Sequence, residues 1–364
     1  MTIGVLGAGQ LGRMLALAGY PLGQQFLFLD REPGTPGHQV GPSLFGDFTD
    51  PKLLDEIATR CEVVTFDWEN VPAASLDRLA SRTRIAPPAL ALATAQDRLL
   101  EKSLFTRLGI PTNKSMAVDS IVDLRRAASL IGLPGVLKTR RLGYDGKGQQ
   151  VLRKAADIET AWQALGKESL LYEEFVPFDY EVSAIGVRGR DGSTAMYPLN
   201  RNLHRDGILR LTRAPWKSAP LEAAARRHMN RVLRHFDYCG VLAIEFFVRR
   251  GRLVANEMAP RVHNSGHWTI EGAVTSQFEN HVRAVAGLPL GDTRATGHSA
   301  MINLIGVMPA PGDLLKESGL HLHDYGKSPR PGRKLGHLTI VESTAAAADR
   351  RAARLLRKMD SRRA

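Results

Sequence analysis

Disulfide chemistry has almost nothing to work with in this chain: 364 residues hold two cysteines, Cys61 and Cys239. That suggests no disulfide framework and fits a reducing cytoplasm. Aromatic residues are few, at 6%, and no interleaved aromatic–basic platform for stacking nucleic-acid bases is present. No apolar run approaches the about 18 residues that mark a transmembrane helix, so no membrane partner is expected. Met1-Thr2-Ile3-Gly4-Val5 enters a strand pattern at once, without the basic segment that opens a secretory signal. Internal repeats and low-complexity linkers are absent as well.

What is present is the composition of a globular protein, 43% apolar and 24% charged, with length for two or three domains. The net charge is +12. Residues 349–364 carry seven Lys or Arg against two Asp, so +5 of it is local. The rest is spread along the chain and suits anionic small substrates as well as a solvated surface; no nucleic-acid partner is expected.

The first 90 residues alternate strands with helices. A strand at 3–6 runs into Gly7-Ala8-Gly9-Gln10-Leu11-Gly12 and a helix. This G-x-G-x-x-G leaves backbone N–H groups at a helix start, free to hold an anion. The strand at 25–29 ends in Asp30, where a dinucleotide fold holds ribose. A nicotinamide oxidoreductase is therefore an open reading, resting on Gly7, Gly9, Gly12 and Asp30. Helix 51–60, strand 62–66 and helix 73–80 extend the pattern to a doubly wound parallel sheet. Asp67-Trp68-Glu69-Asn70 follow the strand at the edge where such sheets bind ligands.

A helix is expected from about Thr94 to Leu108, carrying Gln96, Asp97, Arg98 and Lys102. Past a strand ending in Lys138 comes Gly143-Tyr144-Asp145-Gly146-Lys147-Gly148-Gln149. Glycine lets backbone N–H groups approach phosphate oxygens, and lysine adds charge. The loop reads as a mobile cationic cover, or as a plain hairpin turn. Strands follow at 169–176 and 181–187. Residues 198–207, with His204, read as a loop between strands, and 220–235 as a helix with Leu221, Ala225, Met229, Val232 and Leu233 on its apolar face.

The densest chemistry lies in Asn256-Glu257 through Arg261, His263, Asn264 and His267 to Thr269. Before it, Val241–Val248 and Leu253–Glu257 read as a hairpin about Gly251, in a three-residue loop. Residues whose numbers sum to 502 then face each other, and Glu245 meets Glu257. Facing carboxylates repel; a divalent cation between them removes the conflict, and oxygen ligands suit Mg²⁺. A bulge that shifts the register would instead leave one acid buried and the other exposed.

Together, Gly143–Gln149, Glu173-Glu174-Phe175-Val176 with Glu181, and Glu245 with Asn256-Glu257 resemble the ATP-grasp ligases. Gly7–Met14, Pro260–Thr269 and Gly332–His337 narrow the resemblance to the 5-(carboxyamino)imidazole ribonucleotide synthases of purine biosynthesis, over residues 1 to about 343. The resemblance implies an α/β and α+β ATP-grasp architecture. Residues 1–95 would form the doubly wound domain and 96–295 the ATP-grasp domain, with a lid at about 110–172. Residues 296–364 would form a small β-rich domain with a basic tail helix.

The implied reaction takes ATP and bicarbonate to carboxyphosphate and then carboxylates the exocyclic amine of aminoimidazole ribonucleotide. Arg98 and Lys138 would contact ATP phosphates. Gly143, Tyr144, Asp145, Gly146, Lys147, Gly148 and Gln149 would be the lid loop, with Tyr144 and Lys147 near the transferred group. Glu173–Val176 would hold adenine, Glu181 ribose, and His204 would lie near the nucleotide. Glu245 and Glu257 would bind Mg²⁺ beside Asn256. Arg261 and His263 would border bicarbonate. Gln10, Glu69, Asn70, Arg333 and Lys334 would surround the ribonucleotide, with Lys334 also expected among the catalytic groups. A homodimer is expected. Two departures stand out: Ala8 replaces a family glycine, and Asp67-Trp68 replace Glu-Phe, which leaves the role of Asp67 open. A sibling ligase acting on another amine or on formate is the nearest alternative.

Overall fold

The computed structural model describes residues 1–143 and 146–360; Tyr144 and Asp145 of the expected lid loop lie outside the described residues.

The N-terminal sheet is parallel. Strands β1 (Thr2–Leu6), β2 (Gln25–Asp30), β3 (Ser43–Phe45), β4 (Val63–Phe66) and β5 (Arg84–Ile85) run in the order β3-β2-β1-β4-β5. Helices α1 (Gln10–Gly19), α2 (Pro51–Arg60), α3 (Ala73–Ala80) and α4 (Ala89–Ala95) complete this region. The order reverses between β1 and β4, so their carboxyl ends open the crevice where ligands bind such sheets. The strands are apolar on both faces, as a sheet covered on both sides demands.

The helix expected from Thr94 to Leu108 is two helices, α4 and α5 (Arg98–Arg107). Asp97 breaks them. Its carboxylate caps α5 by accepting the Leu99 N–H at 3.0 Å and binds Arg140 Nη2 at 2.7 Å, which a mid-helix side chain could not do.

A second, antiparallel sheet follows. It consists of β6 (Ser115–Val118), β7 (Gly135–Thr139), β8 (Gln149–Leu152) and β9 (Leu170–Glu174), ordered β6-β9-β7-β8. Helices α6 (Ile121–Ile131) and α7 (Asp157–Leu165) cover it through a small core of its own that includes Leu124, Ala127, Leu137 and Leu170.

The third sheet is the largest. Its strands are β10 (Tyr180–Arg188), β11 (Thr194–Met196), β12 (Asn200–Arg205), β13 (Ile208–Ala214), β14 (Gly240–Arg249), β15 (Arg252–Ala259), β16 (His298–Ile305), β17 (Leu320–Asp324) and β18 (Lys334–Glu342). They run β15-β14-β10-β12-β13-β16-β18-β17, with β11 on β10. Helix α8 (Ala219–His235) buries the expected apolar residues. The short α9 (Thr269–Gly272), α10 (Gln277–Ala286) and α11 (Pro311–Leu314) follow. The basic helix α12 (Ala345–Asp360) docks through Ala348, Ala352, Leu355 and Met359. Among the described residues, no helix is long and apolar enough to cross a membrane.

Residues 200–205, read from sequence as loop, are strand β12. Its buried Asn200 donates from Nδ2 to Asn202 Oδ1, and Asn202 bonds Ser183 and Thr212 through its side chain, so a polar segment sits inside a sheet.

The hairpin holds a second correction. Its loop has two residues, Arg250 (φ 50°) and Gly251 (φ 72°), both left-handed as such a turn requires. Near the turn, pairs therefore sum to 501: Arg249 with Arg252, Val248 with Leu253, Phe246 with Ala255. The register then shifts, with Asn256 bulged out, and Glu245 does face Glu257. The predicted pair is right, but a bulge that the prediction had set against it produces it.

Candidate active site

Two adjoining cavities of about 620 and 310 Å³ open between the three sheets. Arg98, Glu257, His263, Asn264 and Lys334 line both, so a group bound in one lies against a group bound in the other.

The smaller cavity is walled by the second and third sheets. Lys138, Gly146, Lys147, Gln149, Glu173, Glu174, Phe175, Val176, Glu181, His204, Glu245 and Asn256 all line it. Gly148 does not; it packs on Thr139, whose Oγ1 lies 2.7 Å from where a Cβ would stand. Gly143 lines the larger cavity instead. The stacked rings of Phe178 and Phe247, 4.7 Å apart, add an apolar wall. Phe178 was not singled out in the sequence.

Charge in this cavity is tightly paired. Lys138 Nζ meets Glu173 Oε2 at 2.8 Å. Burial would raise the Glu173 carboxyl, but the charges of Lys138 and Lys102 win and hold it at about 2. Arg98 Nη1 donates to Glu257 Oε2 and Nη2 to the Gly143 carbonyl, each at 3.0 Å. Burial opposes ionisation of Glu257 as well, yet Arg98 holds its pKa below the ordinary value. Among the described residues its partner Glu245 has no such arginine; burial and then the Glu257 charge push it up to about 7. His204 Nδ1 sits 2.7 Å from Glu181 Oε2. Burial disfavours the imidazolium, but Glu181 and the neighbouring acids raise the pKa overall.

The larger cavity faces the N-terminal sheet and is lined by Gln10, Asp67, Glu69, Asn70, Arg261 and Tyr325. Arg261 Nη2 pairs with Glu69 Oε2 at 2.7 Å. His263 lies with Nε2 3.7 Å from Glu245 Oε1 and Nδ1 2.8 Å from Ser265 Oγ. Burial and then the Arg261 charge hold its pKa well below the ordinary value. It is therefore a neutral imidazole at physiological pH, able to accept or relay a proton.

Arg333, expected beside the substrate, is not among the lining residues. Its Nη1 donates to the carbonyl and hydroxyl of Ser328, at 3.2 and 3.0 Å. From this segment Tyr325 and Lys334 line the cavity, and Lys327 bonds the lining residue Gln10 at Oε1. Next to it, Arg13 Nη1 donates to the Asp324 carbonyl at 3.1 Å, so the 324–333 strap is tied to the start of α1. Lys327 and Tyr325 were both missed; the hint for them was the cationic cluster between Tyr325 and Lys334.

The glycine loop does not offer an open anion seat. The Asp67 carboxylate fills it, with Oδ2 accepting the Gly12 N–H at 3.0 Å. Asp30 is spent on the Ala8 N–H at 2.7 Å. A dinucleotide pyrophosphate would have to displace one carboxylate, and its ribose the other, which removes the basis of the oxidoreductase reading.

Comparison with known proteins gives the same outline. Residues 1–96 match the ribonucleotide synthetase preATP-grasp domain, 103–278 the ATP-grasp domain, and 299–351 the phosphoribosylaminoimidazole carboxylase C-terminal domain. The chain is 53% identical over 340 residues to the N5-carboxyaminoimidazole ribonucleotide synthase of Pseudomonas aeruginosa, covering 93% of this chain and 94% of that one. It is similar in structure to the N5-carboxyaminoimidazole ribonucleotide synthetase of Thermus thermophilus, with a TM-score of 0.94, 52% identity and 98% of each chain covered. A third relative is the N5-carboxyaminoimidazole synthase of Aspergillus clavatus, solved with ADP and 5-aminoimidazole ribonucleotide. There the TM-score is 0.92 and the identity 30%, over 99% of this chain and 98% of that one.

Proposed function

The chain belongs to the N5-carboxyaminoimidazole ribonucleotide synthase family of ATP-grasp ligases, and from that premise we propose how its two cavities divide the reaction. ATP occupies the smaller cavity and 5-aminoimidazole ribonucleotide the larger. A bicarbonate oxygen attacks the γ-phosphorus of ATP, giving carboxyphosphate and ADP. The exocyclic amine of the ribonucleotide then bonds to the carboxyl carbon, directly or after release of CO₂. Phosphate leaves, the amine gives up a proton, and the product is the N5-carboxylated ribonucleotide of purine biosynthesis.

The observation that carries this division is the shared wall. Arg98, Glu257, His263, Asn264 and Lys334 border both cavities, so a carboxyl group activated on one side is presented to an amine on the other without crossing water. Arg98, Lys138 and Lys147 hold phosphates, and the Glu173–Val176 segment holds adenine through its backbone. Glu181 takes ribose hydroxyls, with His204 beside it. Arg261 and His263 hold bicarbonate. Gln10, Glu69, Asn70 and Lys334 hold the ribonucleotide.

Mg²⁺ fits Glu245 and Glu257. The two acids oppose each other across the ladder, and the Glu257 charge helps to raise the Glu245 carboxyl, a conflict that a cation relieves. Among the described residues no cluster of three or more His, Cys, Asp or Glu groups could hold a metal, so the remaining ligands would be phosphate oxygens and water. When bound, the cation supplies charge that favours phosphoryl transfer. We place the protein in a reducing cytoplasm, as a homodimer.

The test is ADP release by the purified protein. It should require bicarbonate and 5-aminoimidazole ribonucleotide, and Lys147→Ala or Glu257→Gln should cut turnover by about a hundredfold or more. ADP release that persists unchanged without either substrate, or that another amine ribonucleotide supports equally, defeats the reading.

A further inference from the structure

The bulge that brings Glu257 opposite Glu245 lies on β15, the edge strand of the largest sheet. An edge strand leaves backbone groups without ladder partners, and a bulge adds one more unpaired residue. Here helix α5 and the segment after it supply partners around the bulge. The Ala255 N–H donates to the Pro111 carbonyl at 2.7 Å, and Thr112 Oγ1 donates to the Ala255 carbonyl at 2.9 Å. Lys102 Nζ donates to the carbonyl of the bulged Asn256 at 2.7 Å and to that of Ala255 at 3.3 Å. Glu101 Oε1 accepts the Met258 N–H at 2.6 Å. Two adjacent side chains of one helix thus grip the strand on either side of Glu257.

Both grips are buried, with Glu101 2% and Lys102 3% exposed. Burying an ammonium and a carboxylate is costly unless each is satisfied. Lys102 completes its three donors on Asn113 Oδ1 at 2.8 Å, and Asn113 Nδ2 in turn donates to Glu173 Oε2 at 3.1 Å. A lysine and a glutamate kept in the interior for packing alone would be worse than two apolar side chains. Their bonds go instead to the residues that set the register.

The register matters because side chains alternate across a strand. If the pairing near the turn continued unbroken, Glu245 would face Asn256, and Glu257 would face Ile244 and turn to the other side of the sheet. We infer that Lys102 and Glu101 are positioning residues: they hold the bulge at Asn256 and so keep Glu257 across from Glu245, where the two acids take one divalent cation. This rests on the proposed reading that those acids hold the cation.

The experiment titrates Mn²⁺ into the full-length protein at saturating ADP and reads free Mn²⁺ by electron paramagnetic resonance. KM for the ribonucleotide is measured in parallel. Lys102→Met and Glu101→Leu should weaken Mn²⁺ binding about tenfold or more, the range for groups that orient metal ligands; in Lys102→Met, whose side chain lines neither cavity, KM for the ribonucleotide should stay within about twofold of wild type. Glu101→Gln, which keeps an oxygen for the Met258 N–H, should restore the affinity. If Lys102→Met does not fold, the Glu101 pair decides: equal affinity in Leu and Gln overturns the clamp. Wild-type affinity in Lys102→Met and Glu101→Leu overturns it too, provided Glu257→Gln loses the ion. A Glu257→Gln variant that still binds Mn²⁺ as wild type does overturns the metal reading, and the clamp falls with it. Loss of Mn²⁺ and ribonucleotide binding by the same factor in Lys102→Met shows general loosening and also overturns it.

Discussion

Asp67 packs against Gly7 where a side chain on the glycine would not fit: a Cβ built on Gly7 would stand 1.9 Å from Asp67 Oδ1. Gly7 also sits at φ +96°, a backbone conformation that an L side chain rarely adopts. The glycine pattern is thus kept to admit a side chain of the protein itself. Gly7→Ala should destabilise the chain by roughly 1–3 kcal/mol from backbone strain, plus the clash. In an Asp67→Ala background the clash with the carboxylate goes, and the strain and the 3.1 Å approach to Trp68 Cβ remain. Urea unfolding of the double-mutant cycle checks this, and additive effects would contradict it.

The same burial makes Asp67 a source of pH dependence. Loss of water, opposed by the Gly12 N–H, raises its pKa from 3.8 to about 6. Below pH 4 the carboxyl is protonated in folded and unfolded chains alike. Between pH 4 and 6 the unfolded chain ionises first, so stability falls as pH rises and the deficit is complete above pH 6. At about 1.4 kcal/mol per pH unit it is on the order of 2–3 kcal/mol. Asp67→Asn keeps an acceptor for Gly12 and should be more stable than wild type at pH 8 but not at pH 4, as denaturation at the two pH values would show.

How much of this was legible in the sequence depended on periodicity. The strand–helix alternation of the first 90 residues and the apolar face of α8 were readable because burial repeats at a fixed interval. Strand β12 was not, because Asn202 is buried by hydrogen bonding to partners distant in sequence. The Glu245–Glu257 pair came out correctly through two errors that cancel: the loop is one residue shorter than expected, and the bulge restores the sum. Glu101 and Lys102 looked like any charged pair on a helix; only the packing of α5 on β15 separates them from solvated neighbours. Arg333 carried the expected charge, but the turn at Gly332 (φ +73°) sends Lys334 into the cavities and leaves Arg333 on Ser328.

Tyr325 closes a polar cluster behind the larger cavity. Asn303 Nδ2 donates to the Leu209 carbonyl at 2.8 Å and to Asn264 Oδ1 at 2.7 Å. Asn264 Nδ2 donates to Asn303 Oδ1 at 3.0 Å and faces His267 Nδ1 at 3.1 Å, so that imidazole nitrogen is an acceptor. The Tyr325 hydroxyl lies 3.2 Å from it and 2.8 Å from His337 Nδ1. Both imidazoles are buried. Tyr325→Phe leaves His337 Nδ1 without its partner and should cost about 1–3 kcal/mol, measured by urea unfolding. A change within about 0.5 kcal/mol, as at an ordinary surface site, would show that the cluster is not coupled through the hydroxyl.

Lys327 makes the last prediction, on substrate binding. Burial, and then the charge of Arg333, lower its pKa to about 8, and it meets Gln10 at the wall of the larger cavity. A cation there suits the phosphate monoester of the ribonucleotide, as an ammonium offers it a compact charge. Lys327→Met should raise KM for the ribonucleotide about tenfold while KM for ATP, bound in the other cavity, stays within about twofold; one charge-assisted hydrogen bond is worth about 1.5–3 kcal/mol. The sign of the pH effect follows. The ammonium is present below pH 8 and lost above it, so wild-type KM for the ribonucleotide should climb between pH 8 and 9 while the Lys327→Met profile stays flat across that interval. Steady-state kinetics at fixed ATP from pH 7 to 9 would decide it: parallel profiles in the two proteins would mean that some other group titrates, and that Lys327 serves only to tie the strap to α1.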